Sequence, residues 1–151
     1  MRILMVCLGN ICRSPMAEGI MRYKIRTKNL NWSVASAGVQ SYHVGEPPHK
    51  YSQKVCARNG VDISMQRAKK FSAADIDAYD KVYAMADDVY QEIRRIAGPQ
   101  ADMTKVELFL NELEPGSNAS VPDPWYGPEM GYHAVYDMLS RTCDAIIEKY
   151  K

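Results

Sequence analysis

The sequence predicts an α/β fold, a doubly wound parallel sheet in three α/β/α layers, and three observations carry that expectation. Apolar runs of strand length alternate with stretches of helical periodicity. Gly, Pro and Asn punctuate the joints between them. No internal repeat or low-complexity segment breaks the order. Alternating β and α elements pack as a parallel sheet covered by helices on both sides.

The elements follow in order. Residues 2–6 form a short apolar run of strand length. Ser14-Pro15 starts a helix, with Ser as N-cap and Pro at the first helical position, and Met16, Ile20 and Tyr23 continue it at helical spacing. Residues 32–37 read as a second strand ending at Gly38. Pro47-Pro48 opens a second helix that Asn59-Gly60 closes. Residues 80–85 are the next strand. Asp87-Asp88 begins the best-marked helix, with Val89, Ile93, Ile96 and Ala97 on its apolar face. Its acids stand at the start, Arg94-Arg95 near the end, and Gly98-Pro99 stops it. Residues 105–110 read as a strand. Residues 111–130 hold four prolines and two glycines and read mostly as loop. A helix returns over 133–150, with Val135, Leu139, Thr142 and Ile146 on one face.

Composition limits the function. The 151 residues suit a single domain, 1–151. Hydrophobic residues at 46% and charged residues at 25% exclude wholesale disorder. Lys plus Arg is 19 against 18 for Asp plus Glu, so a net charge of +1 offers no global field for nucleic acid or an anionic membrane. The apolar run at 3–8 is far too short to span a bilayer, and no signal-peptide pattern is present. A cytoplasmic protein is expected, with Cys7, Cys12, Cys56 and Cys143 as thiols.

In such sheets ligands bind beyond the carboxyl ends of the strands. After the first strand comes Cys7-Leu8-Gly9-Asn10-Ile11-Cys12-Arg13-Ser14-Pro15. A loop that feeds a helix N-terminus presents unpaired N–H groups and partial positive charge, which favour an anion and a thiolate. Gly9 lets successive N–H groups turn inward. Asn10 tolerates positive φ and can tie the loop internally. Arg13 supplies a planar fork for two phosphate oxygens, and Ser14 can donate to the Cys7 thiolate. A thiolate beneath a phosphate-sized cradle can attack phosphorus and form a cysteinyl-phosphate. Cys-x5-Arg alone recurs by chance, and a buried Cys after a strand commonly just packs the core. Position between a strand and a helix start favours phosphate binding. Cys7 and Cys12 lack the His or Cys partners of a zinc site, so no metal or other cofactor is expected.

Expelling a leaving group needs a proton donor, and one carboxyl can serve as acid and then base. Asp123, between Pro122 and Pro124, is the candidate, with Trp125 and Tyr126 as flat walls for an aromatic ring. Asp-Pro is also an ordinary turn starter.

With those residues in place, the chain resembles the low-molecular-weight protein tyrosine phosphatase family. The resemblance rests on residues 6–15, on Ser36-Ala37-Gly38 and on Asp123-Pro124-Trp125-Tyr126-Gly127. It implies a flavodoxin-like four-stranded parallel sheet and a metal-free two-step hydrolysis of phosphotyrosine. Cys7 would be nucleophile, Arg13 the clamp and Asp123 the acid and base. Asn10, Ser14 and Ser36 would support the loop. Tyr42, Trp125 and Tyr126 would line the cleft, and Cys12 would be a redox partner for Cys7. Partners so implied are a phosphotyrosine protein or peptide, with phosphate, sulfate or vanadate as anion ligands and a monomer favoured.

Two places depart from the family pattern: Gln66-Arg67-Ala68-Lys69 replaces a His-x-Ala-Arg segment, and Met85-Ala86 replaces Met-Asp. Arsenate reductases share the fold but relay a disulfide through closely spaced cysteines, which Cys56 and Cys143 are not. Protein arginine phosphatases are the nearer rival; that branch carries Thr where this loop has Ile11. A phosphate-binding module without activity would be expected to have lost Cys7, Arg13 or Asp123. A flavin site would be expected to carry a loop rich in Ser and Thr.

Overall fold

The computed structural model describes residues 1–151, apart from the side chain of Tyr126. Four parallel strands make one sheet: β1 (Arg2–Cys7), β2 (Ser33–Gly38), β3 (Lys81–Ala84) and β4 (Val106–Leu108), in the order β2-β1-β3-β4. Five helices connect or flank them: α1 (Arg13–Thr27), α2 (Lys50–Arg58), α3 (Ala74–Ala78), α4 (Asp87–Ala97) and α5 (Met130–Tyr150). This is the expected flavodoxin-like order.

The pleat of β1 sorts its side chains between two layers. Ile3, Met5 and Cys7 join a core with Met16 and Ile20 of α1, Val55 of α2, and Leu139 and Ile146 of α5. Leu4 and Val6 join the other core, with Ile76 of α3 and Val89 and Ile93 of α4. Burial on both faces explains why β1 reads as a continuous apolar run rather than an alternating one. The chain leaves β1 toward β2 on one side, while β3 lies on the other. The end of β1 is therefore the topological switch point, where such sheets open a crevice.

Several boundaries differ from those expected. Helix α1 begins at Arg13, and Cys12 precedes it without a side-chain cap. Ser14 is not the N-cap: it lies inside the first turn, and its hydroxyl meets Cys7 and Asn10 instead. Helix α2 starts at Lys50, after both prolines, because His49 caps it: Nδ1 accepts from the Tyr51 N–H at 3.1 Å. Helix α3 was not expected, although Ser72 and Asp75 have capping-box spacing; the Ser72 N–H donates to Asp75 at 2.9 Å, and Ile76 is buried. Strand β4 ends at Leu108 rather than 110, and residues Phe109–Glu112 form a 3-10 turn. The Glu107 carboxylate turns the chain there, accepting from the Leu108 N–H and the Asn111 amide. Helix α5 starts three residues before 133, at Met130.

Among the described residues, no helix is long and apolar enough to cross a membrane, and no group of His, Cys, Asp or Glu could hold a metal ion.

Candidate active site

Cys7 ends β1 opposite Gly38 of β2. Its side chain is buried, and residues 8–12 carry the chain from there to α1. The loop's polarity is sorted. Its carbonyls face the protein: Leu8 accepts from the Gln40 N–H at 2.9 Å, Ile11 from the His49 N–H at 2.8 Å, and Cys12 from the Ser52 hydroxyl at 3.4 Å. Among the described residues, no N–H from Leu8 to Cys12 finds a protein acceptor. A loop with three of its five carbonyls taken and its N–H groups without protein acceptors has the polarity that suits an anion.

Two features force that curvature. Asn10 adopts φ 60°, the left-handed region that Asn tolerates best after Gly. Gly38 lies against the loop so closely that a Cβ would stand 2.9 Å from Asn10 N and 3.0 Å from the Leu8 oxygen. Those are backbone atoms, so no side chain fits at 38 without displacing the cradle.

Asn10 is buried and uses its whole amide. Nδ2 donates to Ser14 Oγ at 2.8 Å and to Ser36 Oγ at 2.9 Å, while Oδ1 accepts from the Lys69 N–H at 2.9 Å. Ser36 donates to Glu18 Oε1 at 2.6 Å. Glu18 Oε2 meets Arg22 at 2.7 Å, and Arg22 donates to the Val34 carbonyl. Counting protons fixes the direction of the chain. Ser36 gives its proton to Glu18, and both Asn10 amide protons are spent. The Ser14 proton is left for Cys7 Sγ at 2.9 Å or the Ala37 carbonyl at 3.5 Å. The shorter contact is the one that stabilises a thiolate. Burial pushes the Cys12 thiol up to about 12, although Tyr132 and Ser52 hydrogen-bond it. Cys12 is a thiol at neutral pH.

Arg13 is buried at the base of α1. One guanidinium nitrogen donates to the Val121 carbonyl at 3.0 Å, and the other reaches Asp123 Oδ2 at 3.5 Å. Asp123 caps a 3-10 turn (Pro124–Tyr126), its Oδ1 accepting from the Trp125 N–H at 3.0 Å. The fold thus brings 123 to the strand end that carries Cys7. A cleft of about 250 Å³ lies between them. Its floor is the 7–13 loop, and its walls are Gln40, Tyr42, His43, Asp123 and Trp125. Tyr42 stands exposed at the mouth. The expectation placed on Tyr126 falls outside the described side chains.

Sequence reasoning missed Glu18, Gln40 and His43. Glu18 carried a signal, four residues after Ser14 and four before Arg22. His43 carried none: its ring reaches the cleft through a pair with Glu46 at 3.1 Å and a tilted contact with Trp125.

A family model described as low molecular weight phosphotyrosine protein phosphatase matches residues 2–151. The low molecular weight protein-tyrosine-phosphatase YfkJ of Bacillus subtilis is 33% identical over 147 residues, which span 96% of this chain and 92% of that protein. Its crystal structure superimposes with a TM-score of 0.90, covering 99% of this chain and 93% of that one. The human low molecular weight phosphotyrosine protein phosphatase is 33% identical over 150 residues, 97% of this chain and 94% of its own. A drosophila arginine phosphatase of known structure is 28% identical, with a TM-score of 0.92 over 100% of this chain and 98% of that one.

Proposed function

This chain belongs to the low molecular weight phosphotyrosine protein phosphatase family, and on that premise we propose that it hydrolyses phosphotyrosine monoesters with Cys7 as nucleophile, Arg13 as clamp and Asp123 as acid and base. The observation that carries the reading is the run of N–H groups from Leu8 to Cys12 that, among the described residues, have no protein acceptor, next to Cys7 in a cleft that Arg13 and Asp123 also line.

The cradle and the guanidinium hold three phosphoryl oxygens, where transition-state charge collects. The Cys7 thiolate attacks phosphorus, the S–P bond forms, and the bond to the phenolic oxygen breaks. Asp123 gives its proton to that oxygen. Water then attacks phosphorus while the Asp123 carboxylate takes a proton from it. The S–P bond breaks, and the Cys7 thiolate returns beside Ser14. The long Arg13–Asp123 contact of 3.5 Å is one that a bound oxyanion can replace as the guanidinium's partner. Inorganic phosphate, sulfate and vanadate fit the same cradle. A cytoplasmic setting suits a nucleophile that must stay reduced.

Substrate choice follows from the walls. Ile11 offers the ring of a phenyl ester an apolar surface, and Tyr42 and Trp125 flank the entrance. Initial phosphate release from a phosphotyrosine peptide should exceed that from a phosphoarginine peptide by at least about tenfold, in EDTA, as expected when a stacking wall contributes about 1.4 kcal/mol or more. Preference for phosphoarginine would keep the Cys7 chemistry and overturn the specificity.

Cys12 is the proposed redox partner. Peroxide oxidises the Cys7 thiolate to the sulfenic acid, which condenses with the Cys12 thiol to a disulfide and releases water. Reductant should then restore activity to the peroxide-treated protein but not to its Cys12→Ser variant; equal recovery would end this role.

A further inference from the structure

We infer that His49 is a positioning residue for the general acid: its ring and backbone tie the phosphate loop, the start of α2 and the Asp123 turn into one unit. The inference rests on the reading of Asp123 as proton donor. His49 stands outside the reacting atoms, yet four contacts converge on it. Its N–H donates to the Ile11 carbonyl at 2.8 Å, fixing it to the cradle. Its Nδ1 accepts from the Tyr51 N–H at 3.1 Å, which starts α2. One face stacks on Tyr132 of α5, with centroids 5.3 Å apart and planes within 20°. Trp125 meets it edge-on, at 5.2 Å and 77°.

The Trp125 contact carries the effect to the chemistry. The Trp125 N–H is the donor that holds Asp123 Oδ1 at 3.0 Å. Wherever the Trp125 backbone sits, the carboxyl of 123 is aimed accordingly. The segment is anchored at its start, where Val121 donates to the Met85 carbonyl and accepts from Arg13, but beyond Asp123 it forms only a 3-10 turn (Pro124–Tyr126), and Trp125 is half exposed. Past Asp123, the aromatic contacts to Trp125 add to what restrains the turn. His43 touches Trp125 as well, but through a more distant, tilted contact at 5.6 Å. Tyr132 is itself fixed, its hydroxyl 3.6 Å from Cys12 Sγ and its ring edge-on to Tyr51. Through Tyr132 the clamp closes back on the phosphate loop.

The ring must be neutral to accept at Nδ1. Burial, followed by the neighbouring Lys50 ammonium, lowers its pKa below the ordinary imidazole value and so preserves the acceptor. A cation there would also stand at the positive end of α2.

Two variants separate the ring from the cap. His49→Asn keeps a side-chain acceptor for α2 and removes the ring; His49→Phe keeps the ring and removes the acceptor. The measurement is kcat/KM on p-nitrophenyl phosphate, whose leaving group needs little protonation, and on phenyl phosphate, which needs the acid. His49→Asn should lose about tenfold on phenyl phosphate and less than about twofold on p-nitrophenyl phosphate, as misplacement of an acid predicts. His49→Phe should retain most of the phenyl phosphate rate. Equal loss on both substrates, no loss, or a Phe variant as impaired as Asn would overturn the inference. Asp123→Asn is the parallel control. If it shows no leaving-group dependence, the acid assignment itself fails, a result distinct from failure at His49.

Discussion

Replacing Cys7 by Ser is expected to lower kcat by at least about 10⁴-fold, the scale seen when a nucleophile is removed and only binding and electrostatics remain. A serine hydroxyl there has no base to activate it. Ser14 donates toward position 7, and the free N–H groups of the loop only donate. The exchange barely changes volume at the end of a buried strand, so the sheet should survive. A fluorescence titration with vanadate checks that the cradle is intact, and rapid-quench kinetics checks turnover. A variant within tenfold of the parent rate would remove Cys7 from the mechanism.

The second large effect belongs to Arg13. Arg13→Lys keeps the charge and loses the fork. One ammonium cannot hold the Val121 carbonyl, reach Asp123 and contact two phosphoryl oxygens at once. A drop of about 10²–10³-fold in kcat/KM is expected, the scale of losing an aimed transition-state donor. The loss should fall on kcat as well as KM, because the Val121 contact also places the segment that carries Asp123. Steady-state kinetics with a phosphotyrosine peptide decides it: a loss under fivefold would show that charge alone suffices. Thermal unfolding of the same variant checks that the change is in chemistry and not in folding.

Helix α4 was legible because its signals are local: acids at the start, a periodic apolar face, then Gly98 as stop. The Cys7–Ser14 loop was legible for a similar reason. The loop and its helix start are contiguous, so the N–H groups and the proposed nucleophile are near neighbours in the chain. Ser14 shows the limit. Its sequence context fits an N-cap, but the buried Asn10 amide and the Cys7 thiol compete for its hydroxyl, and satisfying two buried groups outweighs capping one N–H. Strand β4 failed at its far end because the Glu107 side chain, reaching the Leu108 N–H and Asn111, turns the chain out of the ladder.

The sequence by itself determined the α/β alternation and marked the Cys7–Ser14 loop, its thiol and guanidinium, and a carboxyl as site candidates, because each is written in adjacent residues or a local period. Only the tertiary structure decided that Arg13 meets Asp123 across 110 positions, that Gly38 is the floor against which the loop bends, and that His43 and His49 reach Trp125. Those facts depend on strand order and helix packing, which set distances between residues far apart in the chain, and local periodicity carries no record of such distances.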